Sequence, residues 1–243
     1  ENVYQLEAGR YHLYVSFACP WAHRTLIFRA LKGLEPLISV SIVKAEMLEH
    51  GWEFGESGDP LYQLDYLYQL YLKADPAYNG RVTVPVLWDK KTQTIVSNES
   101  AEIIRIFNSA FNDMTGNQDD YYPSYLANEI NDVNEKVYHQ INNGVYKTGF
   151  ATTQAAYEQA FTELFEGLDW VESVLGRQRY LVGDKLTEAD WRLFTTLIRF
   201  DAVYYGHFKC NKRTLNSYPN IRHYLRELYQ INGVSDTVEL SYT

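Results

Sequence analysis

Tyr11-His-Leu-Tyr-Val-Ser-Phe-Ala-Cys19-Pro20-Trp21-Ala22-His23-Arg24 runs a hydrophobic strand straight into a cysteine that stands where a helix begins. Pro20 suits the first helical position, because the N–H it lacks would have had no intrahelical partner. Leu26, Ile27, Ala30 and Leu31 then share one side of a helix over 20–32, with Arg24, Arg29 and Lys32 elsewhere. A helix N-terminus offers unpaired N–H groups and a partial positive charge, and both favour a thiolate over a thiol. Cys19 is therefore expected to ionise below an ordinary thiol and to act as a nucleophile. The competing reading is a small buried core residue, the usual lot of a cysteine outside a disulfide.

Outward from that stretch, the pattern continues as an α/β unit. Residues 13–16 read as a short strand, and 37–43 alternate with β-branched residues as a second one. Residues 44–80 form an insert: Gly51, Gly55, Gly58 and Pro60 mark an irregular loop, and 61–72 repeat Leu and Tyr at helical spacing. The strand-like runs 82–88 and 94–97 flank Asp89-Lys-Lys-Thr-Gln as a hairpin. Asn98-Glu-Ser100 then opens a helix carrying Ala101, Ile103, Ile104, Ile106 and Phe107. The order is β-α-β-insert-β-β-α, a small α/β domain over 1–111. The polar stretch 112–120 has no apolar period and reads as a linker. Beyond it lie helical patterns over 124–143, 153–175, 187–204 and 218–230. Phe161, Leu164, Phe165, Leu168 and Val171 form a core-facing stripe in the second of these. An all-helical domain over 121–243 follows.

Composition bounds the partners. With 243 residues the chain can form one large domain or two modest ones. A net charge of −9 argues against nucleic acid or an anionic membrane as the main partner. No run of 18 apolar residues spans a membrane, and no signal-peptide pattern opens the chain. The chain begins without Met, so further residues are expected ahead of it. Cys19 and Cys210 make no disulfide framework, which fits a reducing, cytoplasmic setting. No His/Cys cluster has metal-ligand spacing, so no metal is expected. The 21 tyrosines suit cores, interfaces or flat slots for aromatic ligands alike.

Several residues invite chemistry and also have plain structural readings. Pro85 interrupts a strand, which places it at an edge or in a cis bond. Glu99 and Ser100 at a helix start can bind an ammonium and a carboxylate, or simply cap the helix. Arg81 reads as a solvated charge, Trp52 as a loop aromatic covering the core, and Tyr146 as helix-end packing. His23, four residues after Cys19, suggests either a Cys–His pair or packing. Thr187-Glu-Ala-Asp190 has the form of a capping box, with Asp at its last position. Cys210 reads as a bystander thiol.

A cysteine at the first helix's N-terminus, Val-Pro before the third strand and Glu-Ser opening the third helix resemble the glutathione transferases. The longer strings Cys19-Pro-Trp-Ala22, Val82-Thr-Val-Pro-Val-Leu-Trp-Asp89, Ile95-Val-Ser-Asn-Glu-Ser100 and Asn142-Asn-Gly-Val-Tyr-Lys-Thr-Gly149 resemble the Xi class, the glutathionyl-hydroquinone reductases, over essentially the whole chain. The resemblance implies an α/β thioredoxin-like N-terminal domain followed by an all-α helical domain, glutathione as co-substrate, and a homodimer. It also implies a cis Val84–Pro85 bond. Val84 would pair its backbone with the cysteinyl unit of glutathione, Glu99 and Ser100 would hold the glutamyl end, and Arg81 would lie near the glycine carboxylate. Trp52 would pack on glutathione or substrate, and Tyr146 would bind the hydroquinone hydroxyl, with the ring between the domains. Members of the class extend further at both ends, with another active-site tyrosine in the C-terminal stretch, and their loop at 52–60 is longer. The rival readings are an omega-like thioltransferase or dehydroascorbate reductase with the same cysteine chemistry, and a non-catalytic assembly module. The latter has no need of Cys19, Val84-Pro85 and Glu99-Ser100 together.

Overall fold

The computed structural model describes residues 4–242; the expected domain limits at Glu1 and Thr243 lie outside them. The chain divides into two compact units. One holds the chain up to Asp119 together with Asp236–Tyr242, and the other holds Asp120–Ser235.

In the first unit β1 (Tyr11–Val15) is buried along its whole length, and α1 (Pro20–Leu31) follows it. β2 (Ser39–Ile42) runs parallel to β1, with Leu13 opposite Val40. β3 (Met47–Leu48) and β4 (Gly51–Trp52) form a separate two-stranded ribbon, and α2 spans Leu67–Ala74. β5 (Val86–Asp89) is antiparallel to both β1 and β6 (Thr94–Ser97), giving the sheet order β2-β1-β5-β6. α3 (Ser100–Ser109) and the single turn α4 (Asn112–Thr115) close the unit. This is the thioredoxin-like arrangement that the sequence motifs imply.

The differences from the sequence reading have local causes. The run 82–88 becomes a strand only at Val86, because Pro85 has no N–H to donate to a ladder. The helix read over 61–72 starts later, at Leu67. Asp59 is buried and accepts the Tyr62 amide at 2.7 Å and the Tyr14 hydroxyl at 2.9 Å, which commits the preceding residues to turns. The polar linker begins with the helical turn α4, which Gly116 ends in the left-handed region at φ 72°.

Two buried polar clusters pin the sheet. Arg10 grips Asp89 with Nε–Oδ1 2.9 Å and Nη2–Oδ2 2.5 Å. Burial alone would raise the Asp89 pKa, but Arg10, Thr92 and the Lys91 amide hold it at about 2. His12 on β1 lies between the hydroxyls of Ser39 (2.6 Å) and Ser41 (2.7 Å) on β2. Burial, reinforced by the charges of Lys90 and Arg29, lowers its pKa to about 4.

The second unit contains α5 (Ala127–Val137), α6 (Asn143–Gly149), α7 (Gln154–Leu175), α8 (Glu188–Arg199) and α9 (Pro219–Tyr229). On α7, Leu164, Phe165, Leu168 and Val171 are buried and Phe161 half-buried. The helical patterns read as continuous over 124–143 and 187–204 each contain a π turn, at Tyr138–Asn142 and Phe200–Tyr204. Beside the first, the Asn142 amide donates to the Arg192 carbonyl at 3.1 Å and the Thr196 hydroxyl at 2.8 Å. Thr187 and Asp190 form the capping box of α8. Asp190 is buried, accepts the Tyr224 hydroxyl at 2.7 Å and the Leu181 amide at 3.0 Å, and is raised to about 6 by its burial.

Candidate active site

Cys19 is the N-cap of α1 and is partly exposed. Its Sγ accepts the Ala22 N–H at 3.5 Å, and its carbonyl accepts the His23 N–H at 3.0 Å. The sulfur therefore faces the electropositive end of a twelve-residue helix. The Val84 carbonyl accepts from the Cys19 thiol at 3.8 Å. The Val84–Pro85 bond is cis, and both residues are buried ahead of β5. The residues just before β5 are not paired in the sheet, and the Val84 backbone stands beside the thiol.

Glu99 is the N-cap of α3 and exposed, with its carboxylate accepting the Ala101 N–H at 3.3 Å. Ser100, the first residue of that helix, is buried, and the buried guanidinium of Arg24 reaches its hydroxyl at 3.4 Å. Arg24 also lies over the Trp21 ring, 4.6 Å from its centroid. A helix N-terminus with a hydroxyl and a guanidinium beside it has the chemistry to accept a carboxylate, and an exposed carboxylate such as Glu99 has the charge to face an ammonium. Cys19, Val84, Glu99 and Ser100 all belong to the first unit.

The remaining residues take varied settings. Arg81 is exposed, and its carbonyl accepts the Tyr78 hydroxyl at 2.5 Å. Trp52 is buried on β4 opposite Met47 in the ribbon, not on an irregular loop. Tyr146 on α6, in the second unit, is half-buried among aromatics: Phe150 nearly parallel at 6.2 Å, Tyr204 edge-on at 6.0 Å and Phe208 edge-on at 5.6 Å. The imidazole of His23 meets the Thr237 hydroxyl at 2.8 Å, both buried. Cys210 is buried, and that burial pushes its thiol up to about 12, the setting of an inert core thiol. Among the described residues no group of three or more His, Cys, Asp or Glu could hold a metal ion, and no helix is long and apolar enough to cross a membrane.

Sequence reasoning passed over Arg24, Thr237 and two tyrosines, Tyr71 and Tyr78, that touch the same segments. The helical Leu/Tyr period over 61–72 contains Tyr71 without singling it out. A residue whose hydroxyl serves distant backbone leaves no spacing to find.

Comparison with known proteins places this geometry. Residues 18–110 match the family model described as glutathione S-transferase, N-terminal domain, and residues 154–227 match the C-terminal domain model of the same family. The chain is 58% identical to the Escherichia coli glutathionyl-hydroquinone reductase YqjG, over 97% of this chain and 74% of the relative. The glutathione-bound structure of YqjG superposes with a TM-score of 0.96, covering 97% of this chain and 78% of that one. Identity to the Sphingobium chlorophenolicum glutathionyl-hydroquinone reductase PcpF is 56%, over 97% of this chain and 77% of the relative. The glutathione S-transferase Xi of Phanerochaete chrysosporium is 52% identical, with a TM-score of 0.96 and coverage of 99% and 85%. With its N-cap cysteine, cis Val84–Pro85 bond and Glu99-Ser100 helix start, this chain belongs to the glutathione S-transferase family and, within it, to the Xi class.

Proposed function

We propose that the protein removes glutathione reductively from glutathionyl-hydroquinones, releasing hydroquinone and oxidised glutathione. The observation that carries this reading is the Cys19 sulfur at the N-terminus of α1, 3.5 Å from the Ala22 amide nitrogen and beside the Val84 backbone. A thiolate there attacks the sulfur of the substrate's glutathione arm. The bond between that sulfur and the ring carbon breaks, its electron pair stays on the carbon, and the carbon takes up a proton. Cys19 is left in a mixed disulfide with glutathione. A second glutathione thiolate attacks that disulfide, giving oxidised glutathione and restoring the Cys19 thiolate.

Val84 pairs its backbone with the cysteinyl unit of glutathione, an added-strand contact. Glu99 takes the glutamyl ammonium, and Ser100 with the α3 N-terminus takes the carboxylate. Arg81 sits near the glycine carboxylate, and Trp52 packs on the bound molecule. Tyr146 hydrogen-bonds the ring hydroxyl as charge develops. The names of the relatives and the glutathione bound in one of their structures support the reading that the site takes glutathione. The reading includes a homodimer in a reducing, cytosolic compartment, consistent with two thiols that form no disulfide.

The test is incubation with a glutathionyl-hydroquinone and glutathione, with hydroquinone and oxidised glutathione followed by chromatography. Equimolar release of both is the expected result. Turnover confined to aliphatic mixed disulfides or dehydroascorbate would overturn it in favour of an omega-like activity. Gel filtration with light scattering checks the dimer.

A further inference from the structure

We infer that Tyr71 is a positioning residue for the glutathione site: one buried hydroxyl ties together the segment that carries Val84–Pro85 and the segment that carries Glu99–Ser100. This rests on reading those four residues as glutathione contacts. Tyr71 lies on α2 and is 1% exposed. Its hydroxyl donates to the Thr83 carbonyl at 2.8 Å. It accepts the Thr83 N–H at 3.3 Å and the Asn98 amide at 3.2 Å. A phenol has one proton and two lone pairs, so this oxygen is fully used. Thr83 immediately precedes Val84, and Asn98 immediately precedes Glu99.

Thr83 lies outside β5, so both of its main-chain groups turn to a side chain where a ladder partner would otherwise stand. A second tyrosine extends the splint. Tyr78 packs on Tyr71 with ring centroids 5.0 Å apart and donates to the Arg81 carbonyl at 2.5 Å. Any Cβ at Gly80 would meet the Tyr78 hydroxyl oxygen at 2.6 Å, so a glycine there is what lets the phenol reach its carbonyl. The stretch 80–84 is thereby held by two phenols from the insert. Thr83 and Asn98 are both exposed, so water can satisfy their groups when the Tyr71 hydroxyl is gone. The hydroxyl thus contributes placement more than stability.

Tyr71→Phe removes the hydroxyl and keeps the ring. Binding of S-methylglutathione, which cannot form a disulfide with Cys19, is read by calorimetry, and Cys19 reactivity by iodoacetamide alkylation without ligand. The expected result is about tenfold weaker binding, the worth of one well-placed hydrogen bond, with alkylation within about twofold of wild type. Asn98→Ala, at an exposed position, is expected to weaken binding in the same direction, and the double variant less than additively. Wild-type affinity in Tyr71→Phe overturns the inference while leaving the glutathione reading intact. Additive losses, or a parallel fall in alkylation and melting temperature, overturn it in favour of a general structural role. A wild-type protein that binds no S-methylglutathione overturns both.

Discussion

The Cys19 sulfur has an amide nitrogen 3.5 Å away and a helix beginning behind it, and each makes the anion cheaper to form than in open water. Its alkylation rate against pH is expected to show a midpoint below the ordinary thiol value of ~8.5. A midpoint at or above that value would remove the helix from the argument. Cys19→Ser should abolish hydroquinone release, because a hydroxyl side chain forms no mixed disulfide with glutathione. For Tyr146→Phe, only the hydroxyl is lost and the ring keeps its aromatic neighbours. Turnover of glutathionyl-hydroquinones should drop about tenfold, the equivalent of ~1.4 kcal/mol in the transition state, with aliphatic glutathione disulfides unaffected. Equal losses on both substrates would assign Tyr146 a general role. At this scale the place of Cys19 at a helix N-cap was legible, because Cys-Pro after a hydrophobic strand is a local pattern with a local cause. Tyr71 and Arg24 were not, since their work lies in contacts across 12 to 76 residues that no spacing announces.

α6 shows how one element depends on a missing side chain. A Cβ at Gly149 would lie 2.2 Å from Cδ1 and 2.9 Å from Cβ of Phe208, the ring that stands edge-on to Tyr146. Gly149→Ala must therefore displace the Phe208 ring near its root, where there is little freedom to yield. The expected cost is about 1–3 kcal/mol, measured as a fall in urea midpoint, with loss of the Tyr146-dependent turnover. An unchanged midpoint would mean that Phe208 moves freely and is no part of the cluster. The strands and long helices followed from period and β-branching. The π turns did not, because one extra residue per turn leaves the apolar period almost intact over so short a stretch. The ribbon β3–β4 was equally invisible: two residues per strand are too few for alternation to register.

For the whole molecule, the chain divides into two compact units, with one division after Asp119. The return of Asp236–Tyr242 to the first unit had no local signal. Stability against pH should carry the mark of His12. Its folded pKa lies near 4, below the ordinary 6.5, so the unfolded chain takes up a proton that the folded one refuses. That contribution is fully present above pH 6.5 and is lost as the pH falls towards 4. Wild type should lose ~2 kcal/mol between pH 7.5 and pH 5 that His12→Gln does not lose, read from urea unfolding of both at each pH. Identical slopes would show that His12 is protonated in place. The pairing of His23 with Thr237 spans 214 residues. On a ribosome adding about 5–20 residues per second, α1 would wait roughly 10–40 s for that partner to be made. α1 is synthesised well before the residue that completes its packing, so a nascent chain carries Cys19 through that interval without the contacts the finished fold gives it.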